Sequence, residues 1–585
     1  MKTIYHVLIL VSVAAFSFNC QKELSRHPAF SAEENIQSSP ITATLQGNVL
    51  DENGQPAAGV KISAGTKTSV TNANGYFRIA DAALDRNASL VVAEQAGYFK
   101  AYRSFRATKG VNQVMFKLIP KILAGTINSV TGGEATLSNG SKISLPANAV
   151  TKSGTVYGGD VKVYAVYIDP SSRDIGNTIP GSFMADDKDK NRVVLSSYGM
   201  LAVELESAAG EKLQIAAGST AKLTTAIPSN LLSTAPALIS CWYVDETTGI
   251  WKEEGTAKKS GKNYIADVKH FTYWNCDVPY PSISFSAIFK TSDGLLLNNL
   301  NVRVRIDTSS AGYAYGYTDS LGQVSGLIPA NKNLVLEVLN ECYGVAYSKN
   351  IGPFADNTDL GTIVIPANQS FLFTLKGKLL TCNNTPVSKG YAMVYWNNIS
   401  TTVGANKNGE FSISIVSCAV APKFEIIGID EAAQQQGAMI TILASTLLTD
   451  AGDITACGTS STQFMNYTLD GADYTISNLY DSLIAFSGSG PGTLFNTFVQ
   501  GYDALNVLSF NFTGQSQAGS YGLNDMITNN FRRIQMPIPI NVTITAFPQH
   551  AGEFYEGNFS GNFKDSSALG VTHNIDCSFR IKRYF

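Results

Sequence analysis

Leu45-Gln46-Gly47-Asn48-Val49-Leu50-Asp51-Glu52-Asn53-Gly54-Gln55-Pro56, then Gly59-Val60-Lys61-Ile62, then Thr71-Asn72-Ala73-Asn74-Gly75-Tyr76-Phe77, is the stretch that decides the fold class. Asn53-Gly54 and Asn74-Gly75 are strong hairpin signals, because both residue types tolerate positive φ. Each is followed by residues that alternate between apolar and polar. The same period of two recurs in Val161-Lys162-Val163-Tyr164, Val302-Arg303-Val304-Arg305 and Phe411-Ser412-Ile413-Ser414-Ile415. Such runs, broken by Gly, Asn, Asp or Pro, read as antiparallel strands with one face to a core and one to water. Short helices are expected only near 430–436 and 523–530. The predicted architecture is all-β: a multidomain string of β-sandwiches closed by a C-terminal β domain.

Composition agrees with that pattern. In 585 residues there are 43 Lys+Arg and 46 Asp+Glu, a net charge of −3. So flat a balance gives no footprint for nucleic acid. Hydrophobic residues at 44% suffice for several cores and exclude global disorder. The length corresponds to roughly four domains at about 150 residues each.

The first twenty residues, MKTIYHVLILVSVAAFSFNC, hold one charge at Lys2 and an apolar run from Ile4 to Phe18. That run is too short for a helix crossing a bilayer core of about 30 Å. It stops at Cys20 and resembles a bacterial lipoprotein signal, in which the cysteine is lipidated and becomes the mature N-terminus. Ser17-Phe18-Asn19 departs from the usual Leu-Ala-Gly box and matches the looser boxes of some Gram-negative phyla. Residues 21–43 read as a flexible tether. The resemblance implies an outer-membrane, lipid-anchored location. Gln21-Lys22-Glu23 favours the cell surface over a periplasm-facing placement, and its bland reading is a solvated tether.

From Gly47 to Phe77 the chain carries the pattern G-x-V-x-D-x-x-G-x-P-x-x-G-V followed by T-x-x-x-G-Y-F, and 44–119 is similar to the carboxypeptidase regulatory-like domain. That resemblance implies a transthyretin-like sandwich of about seven strands with an accessory, non-catalytic role, within a superfamily described as carbohydrate-binding-like. Two degenerate echoes follow. In 281–367, Ser292-Asp293-Gly294 and Asp319-Ser320-Leu321-Gly322 replay the turns; in 368–458, Asn384-Thr385-Pro386 and Asn406-Lys407-Asn408-Gly409 do so. Both read as Ig-like or transthyretin-like sandwich repeats. Between them and the first unit, 120–280 resembles the β-rich ectodomain region of cartilage intermediate layer proteins. Residues 459–585, ending in alternating Cys577-Ser578-Phe579-Arg580-Ile581, form the C-terminal β domain, a small sheet or barrel.

Seven cysteines remain after Cys20. An exported location permits disulfides, and Cys241 with Cys276, each beside a strand of 120–280, is the first predicted pair. Cys382 with Cys418 is the second. His550-Ala551-Gly552-Glu553 has the H-x-x-E spacing of a zinc pair, but its Gly- and Phe-rich β setting and scarce histidines favour a loop histidine. Asp186-Asp187-Lys188-Asp189-Lys190-Asn191 has the start of a calcium loop and lacks the glycine and glutamate that complete one. Gly488-Ser489-Gly490-Pro491-Gly492 cannot cradle phosphate, since Pro491 blocks the required helix. Trp242, Trp251, Trp274 and Trp396 are candidate platforms for sugar rings, with core filling the alternative.

These readings point to a non-catalytic lipid-anchored envelope protein, a β-sandwich rod for binding, adhesion or envelope assembly, with no cofactor. Its membrane contact is the N-terminal lipid, and a protein or a glycan is its partner. Carbohydrate capture for a glycan-uptake system is the alternative; a metallocarboxypeptidase-like enzyme is the third reading.

Overall fold

The computed structural model describes residues 37–583 except 73, 309–313, 367–371, 398, 419–422, 434, 446, 461–462, 478–481, 490–493, 503–506, 529–539, 550–553 and 566–569. Cys20, the His550–Glu553 pair and the center of the 488–492 turn lie outside the described residues. Within them the protein is all-β, with one helical turn at Ile175–Thr178 and a 3-10 turn at Ser229–Leu231.

Three sandwiches share one topology. In the first, Pro40–Leu50 lies between antiparallel Tyr76–Asp85 and parallel Asn112–Lys117. A second sheet orders Lys67–Val70, Lys61–Ala64, Ser89–Glu94 and Ala101–Phe105. Alternate residues Leu45, Val49, Ile62, Val91 and Phe116 meet between the sheets and are fully buried. Each contributes about 1.5–3 kcal/mol through burial. In the second sandwich the distal half of Tyr273–Thr291 lies between antiparallel Gln323–Pro329 and parallel Thr358–Ile365. In the third, Leu372–Leu380 lies between antiparallel Glu410–Val416 and parallel Leu447–Thr455.

The 120–280 region is joined to the second sandwich with no linker. Strand Tyr273–Thr291 pairs with Arg192–Ser207 as far as Pro281, and from Ser282 it pairs with Gln323–Pro329. The first sandwich shares a core with 120–280, where Phe99, Tyr102 and Ile119 pack among Phe183, Trp242 and Trp251. The backbone of Gly181 exchanges hydrogen bonds with Tyr102 O (2.9 Å) and Ser104 N (3.1 Å), extending the edge strand Ala101–Phe105.

The C-terminal domain is a nine-stranded antiparallel meander from Ser482–Ser489 round to Thr572–Lys582, then Phe464–Leu469 and Ala472–Ser477. A parallel bridge between Ala485 and Arg583 ties strand Ser482–Ser489 to the chain just past Thr572–Lys582 and curls the sheet into a barrel. Inside, Phe510 packs edge-on to Phe559 and Phe579, with ring centroids 5.0 and 5.2 Å away. Outside stand Asn558, Ser560, Asn562, Asn574 and Asp576, all exposed. On Phe554–Lys564 and Thr572–Lys582 an apolar inner face thus backs a polar outer one.

Both predicted helices are corrected. Gly519–Thr528 is a strand. Leu523 and Met526 face inward although three residues apart, because a bulge opposite Asn511–Phe512 shifts the register, and this spacing imitates a helix. At 430–436, Asp430 Oδ1 accepts the N–H groups of Ala432 (3.0 Å) and Ala433 (3.1 Å) and closes a turn.

Candidate functional site

Each of the three sandwiches carries the same glycine-closed turn, and residues in and beside these turns lie where the sandwiches meet. Asn72, Asp319 and Asn406 each close a turn by accepting the N–H groups two and four residues on, at 2.8–3.1 Å. The glycine that follows, at φ +66°, +71° and +79°, accepts the N–H of Val49, Phe289 and Leu379 respectively. A Cβ on any of them would lie 2.3–2.6 Å from the facing carbonyl oxygen. Asn74-Gly75 is therefore not a two-residue hairpin: it carries the chain from one sheet to the other, and only the glycine takes positive φ. At Asn53-Gly54 the positive φ is again confined to the glycine, and Asp51 Oδ1 closes the turn on Asn53 N and Gln55 N, both at 2.8 Å.

Asp319 does a second job. Its Oδ2 reaches the first sandwich and accepts from Thr108 Oγ1 (2.7 Å) and Gly110 N (3.0 Å), with the residue buried. Asn298 bonds Ser412 O and Ser414 N of the third sandwich, both at 2.8 Å. Glu341 Oε1 accepts from Cys418 N (2.9 Å) and Ser417 Oγ (2.8 Å). Tyr76 and Tyr391 bring their ring centroids to 5.2 Å across the first and third sandwiches. Gly404 permits that approach, since a Cβ there would stand 2.2 Å from Arg78 Nη1. The three sandwiches thus enclose a cleft of about 670 Å³ lined by Gln46, Arg78, Asn299, Lys378, Asn406 and Asp453, among others. Its lining carries basic (Arg78, Lys376, Lys378) and acidic (Glu410, Asp450, Asp453) side chains, and its volume falls in the range of small-ligand sites.

The cysteine pairing differs from prediction. Cys241 and Cys276 are register partners on adjacent strands, yet both are buried thiols without a bond between them. The Cys276 thiol is pushed well up by its hydrogen bond with Cys241 and by burial, which keeps the reactive thiolate from forming. Cys577 is a third buried thiol. The bonds are Cys342–Cys418 and Cys382–Cys457. The first joins the second sandwich to the third. The predicted Cys382–Cys418 pair lies within one repeat, whereas Cys418 bonds across units and Cys382 bonds Cys457.

Each tryptophan is buried: Trp242 and Trp251 at 0%, Trp274 at 4% and Trp396 at 6% exposure. They fill cores and offer no platform to a sugar. Asp186 is spent on Arg192 and Lys252. Asp187 Oδ1 accepts from Asp189 N (2.9 Å) and Asn191 N (2.8 Å) of its own turn. Among the described residues no three His, Cys, Asp or Glu side chains come together as a metal set. The junction clamps were missed because Asp319 and Asn298 look like ordinary turn residues. The one available signal was aspartate at 319 where the sister turns carry asparagine.

No protein-family model matches the chain. A 120-residue stretch, 20% of this chain, is 28% identical to human cartilage intermediate layer protein 2 and spans 10% of that protein. Among solved structures, the shaft pilin of Lactobacillus rhamnosus GG is 9% identical, with TM-score 0.17, over 30% of this chain and 99% of that one. The major pilin subunit of Bacillus cereus is 10% identical, with TM-score 0.12, over 72% and 100%. A DUF3823 family protein from Bacteroides ovatus is 10% identical, with TM-score 0.12, over 36% and 98%.

Proposed function

We propose that this chain is a non-catalytic, lipid-anchored protein of the cell envelope, a braced β-sandwich scaffold that binds or assembles with an envelope partner. In this reading 44–119 is a carboxypeptidase regulatory-like domain, which its seven strands in two sheets support. The observation that carries the proposal is the use made of polar groups and a disulfide between units: buried Asp319, half-buried Glu341 and Asn298, and the Cys342–Cys418 bond all tie one sandwich to another. A disulfide between units suits an oxidising, exported location. Lipid on Cys20 tethers the chain, and the barrel and sandwich-end loops are the contact surfaces. Protease shaving of intact cells, with mass analysis of the mature N-terminus, tests this. Lipid on Cys20 with loss of the protein on shaving supports a surface scaffold; an unlipidated, cleaved chain overturns the anchor.

The cleft favours one second reading, capture of a carbohydrate through its polar lining. Binding on a glycan array that is lost in Lys378→Ala and Asp453→Ala supports it. A blank array leaves the assembly role.

A further inference from the structure

The second sheet of each sandwich ends on an equivalent edge strand, and the three edges have different fates. In the first sandwich Ala101–Phe105 is extended by the backbone of Gly181, so that edge takes a piece of another unit. In the second, Val345–Ile351 pairs with Leu334–Leu339 alone among the described residues and carries exposed Lys349, a charge that discourages further pairing. In the third, Ile440–Leu443 pairs with Lys423–Asp430 on one side and, among the described residues, with no strand on the other.

This third edge is unprotected. From 432 to 449 the chain has no charged residue and no proline. Met439 is 51% and Leu443 80% exposed, while Ile440 and Ile442 lie only half-buried against the core on the opposite face of the strand. On the next strand in, Lys423 and Glu425 are paired with each other, so no net charge guards the edge from there. Natural sheets blunt open edges with charge, proline or a covering segment, and here all three are missing among the described residues.

An open edge can pair antiparallel with its own copy about a twofold axis perpendicular to the sheet. Because side chains alternate between faces, such an axis must set one residue opposite its own copy. Set on Thr441, it brings Met439 opposite Leu443 of the second copy on the outer face, and Ile440 opposite Ile442 on the inner one. Apolar groups meet apolar groups in these pairs, and no like charges oppose each other. We propose that Ile440–Leu443 is a homodimer contact, where the third sandwiches of two copies of this chain join edge to edge into one sheet centred on Thr441. The contact needs neither the lipid anchor nor an envelope partner.

Sedimentation of the purified full chain, at concentrations rising to about 0.1 mM, tests this. The expected result is a monomer–dimer equilibrium that Thr441→Lys and Thr441→Glu each weaken by about tenfold or more, since each sets like charges opposite one another across the axis. Thr441 is exposed, so neither substitution disturbs a core. Mixing the two variants is expected to restore association, because opposite charges then face each other. A chain that stays monomeric overturns the proposal and leaves the edge to a strand of another protein. Dimerisation unchanged by both substitutions, or a loss that mixing does not repair, overturns it as well.

Discussion

At Gly54 and Gly75 the same Asn-Gly signal serves two different physical needs. Gly54, at φ +79°, has nothing within 4 Å of where a Cβ would sit, so only the backbone conformation asks for glycine. Gly75 has positive φ and a carbonyl 2.3 Å from the Cβ position. Gly54→Ala is therefore expected to cost about 1 kcal/mol, and Gly75→Ala about 3 kcal/mol, since a backbone clash adds to the left-handed strain. Thermal melts of the first sandwich's transition read the difference, and equal losses would refute it. Asp277 makes a residue-scale prediction of another kind. It is fully buried beneath the Trp242 indole, whose Nε1 donates to the Asp277 carbonyl oxygen at 3.3 Å. Burial pushes its carboxyl well above the ordinary range, and neither carboxyl oxygen has a hydrogen-bond partner among the described residues. Because the folded value is raised, the folded chain holds a proton that the unfolded chain releases above about pH 4, and stability falls as the pH rises. Asp277→Asn removes that dependence. Its stability relative to the parent should grow by about 1.4 kcal/mol per pH unit from pH 4 until the carboxyl itself ionises. Denaturant melts across that range check it, and parallel curves for parent and variant would refute it.

Between elements, one carboxylate and one disulfide do the joining. In Asp319→Asn, Oδ1 can still close its own turn, but an amide nitrogen replaces the oxygen that accepts from Gly110 N. Two donors then face each other in a buried place, which costs about 1–3 kcal/mol. The loss should appear as uncoupling of the first and second sandwiches in hydrogen exchange at 108–112, with the turn at 319–323 still protected. Cys342→Ser acts on the other joint. The bond closes a separation of 76 residues, and its removal is expected to cost about 2–4 kcal/mol. The melt should broaden into separate transitions for the second and third sandwiches; an unchanged single transition would show that Asn298 and Glu341 suffice. The strands themselves were legible in the sequence, because period two records which face of each strand meets a core. The turns were legible as turns, since Asn and Asp close them with their own side chains. What joins the units was not, because a clamp such as Asp319 Oδ2 and a bond such as Cys342–Cys418 depend on neighbours brought together only by the fold. The bulge that sets Leu523 and Met526 on one face was read as helix for the same reason: local spacing does not reveal a register shift against a partner strand.

Over the whole molecule, the string written in the sequence packs into two bodies of different kinds. From 40 to 457, shared cores, a strand common to two units and a disulfide between sandwiches make the units depend on one another. Of the two readings of the tryptophans, sugar platform or core filling, the second holds at this scale, since large flat side chains are what the deepest cores of such a body consume. The barrel has its own nine-stranded sheet and its own core, and neither draws on the sandwiches. Thr459–Ser460 still pairs with Gln435–Gln436 of the third sandwich, and the barrel's first strand begins at Phe464. The chain between these points is where the two bodies part. A nonspecific protease at low concentration should therefore cut between the two bodies before it cuts within either, because no sheet pairing among the described residues joins them. The released 464–585 fragment should melt as a single cooperative transition at its temperature in the full chain. The remaining fragment should keep its two disulfides and stay in one piece under non-reducing conditions. First cuts between the sandwiches, or a barrel that unfolds once released, would mean that the two bodies support each other and that the scaffold is one unit from end to end.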